Sequence, residues 1–223
     1  NAKAAISGLA RPPSRRGAPC SIPMSAETLT AIAVALGAGW ASGLNAYAAV
    51  LVLGLAQRLG LVTLSQDLQV LESPWVLGVA AILFALNFLA DKIPYVDSIN
   101  DVLQTFVRIP AGVLLAYGAA GGLSPEVSAV AGLLGGTLAA GTHIAKTGSR
   151  ALINGSPEPF SNVLASLGED ITVFGGLALA IANPITFLCL LALFVVALIW
   201  LLPKLVRLAL VPFRRLVRGR PGP

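Results

Sequence analysis

The sequence predicts an all-α fold, a polytopic transmembrane helix bundle of six spans with both termini cytoplasmic. Three observations predict it. Hydrophobic residues make up 56% of the 223 positions, charged residues only 11%, and mean hydropathy is +0.83, whereas a soluble domain carries about 25% charged residues. Apolar runs of 30, 18 and 19 residues occur at 28–57, 73–90 and 127–145, each near or beyond the roughly 20 residues that cross a bilayer. The charges that remain gather at the ends of such runs.

The formal net charge of +5 does not point to nucleic acid. Lys204, Arg207, Arg214, Arg215, Arg218 and Arg220 form a terminal basic tail, and the central chain is close to balanced. A basic tail just past a membrane helix suits positive-inside orientation and anionic lipid headgroups. Its interleaved Leu208, Leu210, Val211, Phe213 and Leu216 suit an amphipathic helix at the interface. The two cysteines, Cys20 and Cys189, and the single histidine make no disulfide framework and no four-ligand metal spacing. Phosphate-binding loops, nucleophile elbows and zinc-protease motifs are absent. No cofactor is expected, and no nucleophile–base pair suggests an enzyme.

Ser25 with Glu27 reads as a helix start. The uncharged run from Thr28 to Gln57 is about 45 Å long as a helix, so it must tilt, break or protrude. Gly37, Gly39, Gly43, Ser42 and Asn45 mark its middle as the place for a kink. Residues 59–72 read as a loop, and 73–90 as a second span with Trp75 as interfacial anchor. Asp91-Lys92-Ile93-Pro94 ends that span, because proline blocks continuation. A third helix is predicted from about Ser98 to Gly118, and a Gly-rich fourth from Val127 to Ala145, the glycines suiting close packing in lipid. Asn154 to Pro159 is a non-helical connection. A fifth helix covers 160–182, Asn183-Pro184 turns, and Ile185 to Leu202 is the sixth. Residues 1–23 are basic, acid-free and lack a secretory apolar region. Met24 is the expected start, with 1–23 a disordered extension, 24–205 the membrane domain and 206–223 the basic cytoplasmic tail. Six spans place Lys92, Lys146, Arg150 and the six tail residues on one side, against Arg58 alone on the other.

Several charges fall inside the predicted spans, where lipid penalises them by about 2.5–3.5 kcal/mol each unless they face a bundle interior. Asp97, Asp101, Gln104, Thr105, Arg108 and Gly112 share one helical stripe. Asn162, Ser166, Glu169 and Val173 share another, with Asp170 beside it. Arg108, Glu169 and Asp170 each lie about ten residues into their helix, at a similar depth of roughly 15 Å. Arg108 is therefore expected to pair with Glu169 or Asp170, leaving one acid free to bind a cation or exchange a proton. His143, Lys146 and Arg150 recur at i, i+3 and i+7 on the fourth helix. With Asp91, Lys92, Asp97, Asp101 and Glu158 they would form a polar cytoplasmic vestibule, and Asn45 lies at the kink of the first helix. Each also has a plainer reading. The pair could be structural only, His143 a packed histidine, Lys146 and Arg150 orientation determinants, and Ser42 and Asn45 interhelical hydrogen-bond groups.

Ala90-Asp91-Lys92-Ile93-Pro94 with Asp97, then Arg108-Ile109-Pro110-Ala111-Gly112, resembles an uncharacterised bacterial membrane family, domain of unknown function 4126. The resemblance continues through Lys146, Arg150, Asn154, Ser156-Pro157-Glu158-Pro159, Ser161-Asn162 and Ser166-Leu167-Gly168-Glu169-Asp170. Gly43-Leu44-Asn45 also fits. It covers roughly residues 28–205 and implies a multi-pass inner (plasma) membrane protein without assigning an activity. Two functions are expected to compete. One is a small secondary transporter or channel, cation- or proton-coupled. The other is a non-transporting scaffold or partner subunit locked by interhelix ion pairs. The expected partners are the lipid bilayer and anionic headgroups at the tail, with homo-oligomer formation left open.

Overall fold

A computed structural model describes residues 25–93, 96–153 and 159–217, with side chains described as far as Lys204. The extension at 1–23, Pro94, the connection at 154–158 with Glu158, and the side chains of the basic tail lie outside the described residues. The elements are α1 (Ala26–Arg58), a 3-10 helix (Gln66–Glu72), α2 (Pro74–Ala90), α3 (Val96–Ala119), α4 (Pro125–Ile153), α5 (Pro159–Ala182) and α6 (Pro184–Val217). Every described element is helical. Five of the helices, α1 and α3 to α6, are long and apolar enough to cross a membrane; α2 makes a sixth if counted with the 3-10 helix, from which it bends by 68°. The expected loop at 59–72 is therefore partly ordered as that helix. The tail does not begin as a separate element, because α6 runs unbroken to Val217.

Local chemistry explains the ends. Ser25 caps α1, its Oγ accepting the Thr28 amide at 3.1 Å, with Glu27 in the first turn. Asn183 caps α6 by accepting the Thr186 amide at 3.2 Å, and Pro184 occupies the first turn where a missing N–H costs nothing.

The bundle is polar inside and apolar outside. Asp97, Asp101 and Arg108 are fully buried, while Trp75, Phe106 and Leu133 are each more than 70% exposed. Water would reverse that arrangement; a hydrocarbon surround accounts for it. Helix α1 is the hub, packing on every other long helix, while α3 packs on α1 and α4, and α5 packs chiefly on α1 and α6. Small residues permit the central contact. A β-carbon on Gly39 would run into the Gly135 backbone, and one on Gly43 would lie 2.7 Å from Thr142 Cβ. Gly112 and Ala139 complete this seam between α1, α3 and α4. On the far side of α1, Trp40 meets Phe187 and Phe194 edge to face at 6.0 and 6.1 Å.

Gly39→Val should therefore destabilise the fold by about 1–3 kcal/mol through overpacking. Gly78→Val, whose added carbon meets nothing within 4 Å, should leave the melting temperature in detergent nearly unchanged. Equal losses in the two variants would contradict the seam.

Candidate functional site

The buried charges converge at one end of the bundle, where α2 and α4 end and α3 and α5 begin. Lys146 of α4 is the centre. Its Nζ lies 2.6 Å from Asp91 Oδ2, 3.1 Å from Glu169 Oε2 and 3.7 Å from Asp101 Oδ1. One α-helical turn further along α4, Arg150 grips Glu169 with both ends of its fork, Nη2 to Oε2 at 2.8 Å and Nε to Oε1 at 3.2 Å. Its Nη1 also donates to the carbonyls of Asp91 (3.2 Å) and Asn162 (3.0 Å) and to Asn162 Oδ1. On the other side Arg108 Nη1 donates to Asp101 Oδ1 at 2.9 Å and to His143 Nδ1 at 3.1 Å. Three bases thus face three acids in one continuous network.

The hydrogen bonds fix the state of His143. An arginine can only donate, so Nδ1 is an acceptor. Thr105 Oγ1 spends its proton on the Asp101 carbonyl at 3.1 Å, so at 2.7 Å from His143 Nε2 it accepts. His143 is therefore a neutral imidazole carrying its proton on Nε2, and its side chain is buried.

The expected pairing of Arg108 with Glu169 or Asp170 is not formed. Side chains on a helix lean toward its N-terminus, and Arg108 leans back along its own stripe to Asp101 at i−7. Glu169 is already held by Lys146 and Arg150, and α4 and α1 stand where the direct contact between α3 and α5 was expected. Lys146 and Arg150, expected at a polar vestibule, have their side chains buried inside the bundle. Lys92 stands apart from the network: its Nζ donates to the Phe88 carbonyl at 3.2 Å and covers the Phe88 ring. Asp97 is buried at the start of α3, its Oδ1 accepting the Ser98 amide at 2.7 Å.

Asp170 occupies a different place. Its Oδ1 accepts from Asn45 Nδ2 at 3.1 Å, and among the described residues it forms no ion pair. Asn45 is where α1 breaks, with φ −154° and ψ 98° inside an otherwise helical run. The break frees polar groups on both sides. The Leu44 carbonyl, at the end of the first half-helix, accepts Lys146 Nζ at 3.4 Å; Asn45 Oδ1 caps the second half by accepting the Ala48 amide at 3.2 Å. The predicted kink is thus present, and it joins the buried network to the surplus acid.

Asn87 was missed. It donates to Asp91 Oδ2 at 3.3 Å and accepts from Asn100 Nδ2 at 2.8 Å and Arg108 Nη2 at 3.5 Å. Its signal was visible, as a lone amide in an otherwise apolar α2, four residues before Asp91. Asn100 donates to Asp91 Oδ1 as well, at 3.2 Å. Two recesses among the described residues are apolar grooves of about 390 and 370 Å³, lined by residues such as Trp75 and Val79 or Trp40 and Phe187, and a third of about 410 Å³ is lined by Arg58, Gln69 and Glu72; none of the three is lined by the network. The side chains of Asp101, Arg108, Lys146 and Arg150 are buried, while that of Glu169 is 16% exposed.

Arg150→Gln should cost about 3–5 kcal/mol, because it leaves a buried carboxylate short of its bidentate partner. Lys92→Gln, at the rim, should cost less than about 1 kcal/mol. Thermal unfolding in detergent separates the two, and similar losses would contradict the burial described.

No curated protein and no solved structure matches the chain. The model of one family, described as "Domain of unknown function (DUF4126)", matches residues 32–204, a stretch that holds the whole network and the break in α1. The chain is a membrane protein built of apolar helices, and it belongs to the DUF4126 family.

Proposed function

We propose that the protein is a small secondary carrier or channel of the plasma membrane, ion- or proton-coupled, whose path crosses the break in α1. One observation carries this reading: a discontinuous helix with a buried ammonium at the carbonyl end of one half and a buried carboxylate at the capped start of the other. Broken helices place half-helix dipoles and freed backbone groups where an ion or polar solute can be held inside a membrane. A span that only filled space would have no use for the break or for the polar groups it frees.

The chemistry available there is exchange of partners. Lys146 has three carboxylates around it, so a small shift of α4 along the glycine seam can trade one for another without stranding a charge. Asp91, Asp101, Arg108 and Arg150 hold the remaining positions, with Asp97 buried at the start of α3 and Lys92 toward the rim. The closed network corresponds to the occluded stage of such a cycle. Both termini lie in the cytoplasm, with the tail against anionic headgroups.

The balance of three bases and three acids also favours a second reading, a non-transporting scaffold or partner subunit in which the network only locks helices. Currents distinguish them. Proteoliposomes on a solid support, exposed to jumps in pH, Na⁺ or K⁺, should give transient charge movement absent from protein-free liposomes. Asn45→Ala should reduce it at least tenfold while the protein still melts cooperatively. No current with any of the three jumps would remove the carrier reading and leave the scaffold.

A further inference from the structure

Two buried polar atoms on α5 have no partner among the described residues. Ser166 Oγ and Asn162 Nδ2 make no hydrogen bond, although both residues are about 99% buried. Buried hydroxyls are nearly always paired, and a helical serine usually satisfies itself on the carbonyl four residues back. For Ser166 that carbonyl belongs to Asn162, and Arg150 Nη1 already occupies it at 3.0 Å. The hydroxyl therefore faces the bundle with unused capacity, one turn before Asp170. Side chains at i and i+4 stand about 5–6 Å apart at Cβ, close enough for a carboxyl and a hydroxyl to meet directly or through one water.

Resting on the carrier reading above, we propose that Asp170 is the proton-exchanging group of the protein and that Ser166 receives the hydrogen bond of its protonated form. The carboxylate takes a proton from hydronium, releasing water, and becomes a carboxylic acid whose O–H donates to Ser166 Oγ. Asn45 Nδ2 keeps donating to the other carboxyl oxygen in both states, so gaining and losing the proton changes one hydrogen bond and leaves the cap of the second half-helix in place. The reverse step returns the proton to water.

The surroundings select this acid over its neighbours. Among the described residues, Lys146 of α4 and Asp91 and Lys92 of the turn after α2 act on the Asp170 carboxyl through their charge, and the uncharged Asn45 of α1 through its hydrogen bond; Glu169, its neighbour on α5, is held by Arg150. Asp91, Asp101 and Glu169 each have an arginine or lysine partner within 3.1 Å, and His143 is committed as an acceptor to Arg108. Among the described residues Asp170 forms no ion pair and has the neutral Asn45 amide as its donor. A metal cation would need several oxygen ligands, and no group of three or more acidic, His or Cys side chains able to hold a metal occurs among the described residues.

Infrared difference spectroscopy of the full chain in lipid, titrated with acid, tests this directly. The expected result is a protonated-carboxyl C=O band that grows as pH falls, vanishes in Asp170→Asn, and changes frequency without vanishing in Ser166→Ala. Asp170→Asn preserves shape and an acceptor for Asn45, so folding should survive. A band unchanged by Asp170→Asn would overturn the proposal, as would its erasure by Na⁺ at constant pH, which would mean that the carboxylate takes a metal cation. A band unmoved by Ser166→Ala would overturn the part given to that hydroxyl. The measurement is independent of flux: titration of Asp170 without any current would sink the carrier reading alone, and current without the band would sink the proton proposal alone.

Discussion

The arrangement depends on one ammonium group. Lys146 is buried in a helix surrounded by lipid-facing helices, and an unpaired charge there would be prohibitively costly. It is surrounded by carboxylates from three separate elements: Asp91 after α2, Asp101 on α3 and Glu169 on α5. That requirement draws α4 into contact with all three. Arg108 and Arg150 then complete the charge balance at either side, and the glycine seam lets α1, α3 and α4 approach closely enough for short side chains such as Asp101 to take part.

The break in α1 follows from the same constraint. A continuous helix would keep the Leu44 carbonyl for its own ladder, whereas the break at Asn45 offers it to Lys146. The asparagine side chain restores the lost cap and, with its amide, reaches Asp170. The backbone discontinuity, the central cation and the surplus acid are thus one feature seen from three helices. A buried pair is weak grounds for stability, since apolar residues of similar size often serve as well.

Much of the fold was legible in the sequence because hydrocarbon imposes it. Long uncharged runs, punctuating prolines and a stripe of polar residues on α3 each correspond to an element or face of the bundle, and the Gly37–Asn45 region does contain the kink. The site was legible as a set of residues but not as a set of pairs. Depth along each helix suggested Arg108 beside Glu169; it could not reveal that α4 lies between them and brings two cations of its own. Lys146 and Arg150 were expected at the vestibule and not between the helices, because cations near the end of a membrane helix commonly mark orientation. Asn87 was overlooked because one amide in a strongly apolar helix is a faint signal until its neighbours are in place.

The most direct test of the central interaction is an experimental structure of the protein in lipid nanodiscs, read at Lys146. The account requires its Nζ within about 4 Å of carboxylates from Asp91, Asp101 and Glu169, beside a break in α1 at Asn45. A lysine turned out to the headgroups, with α1 running unbroken past Asn45, would contradict it.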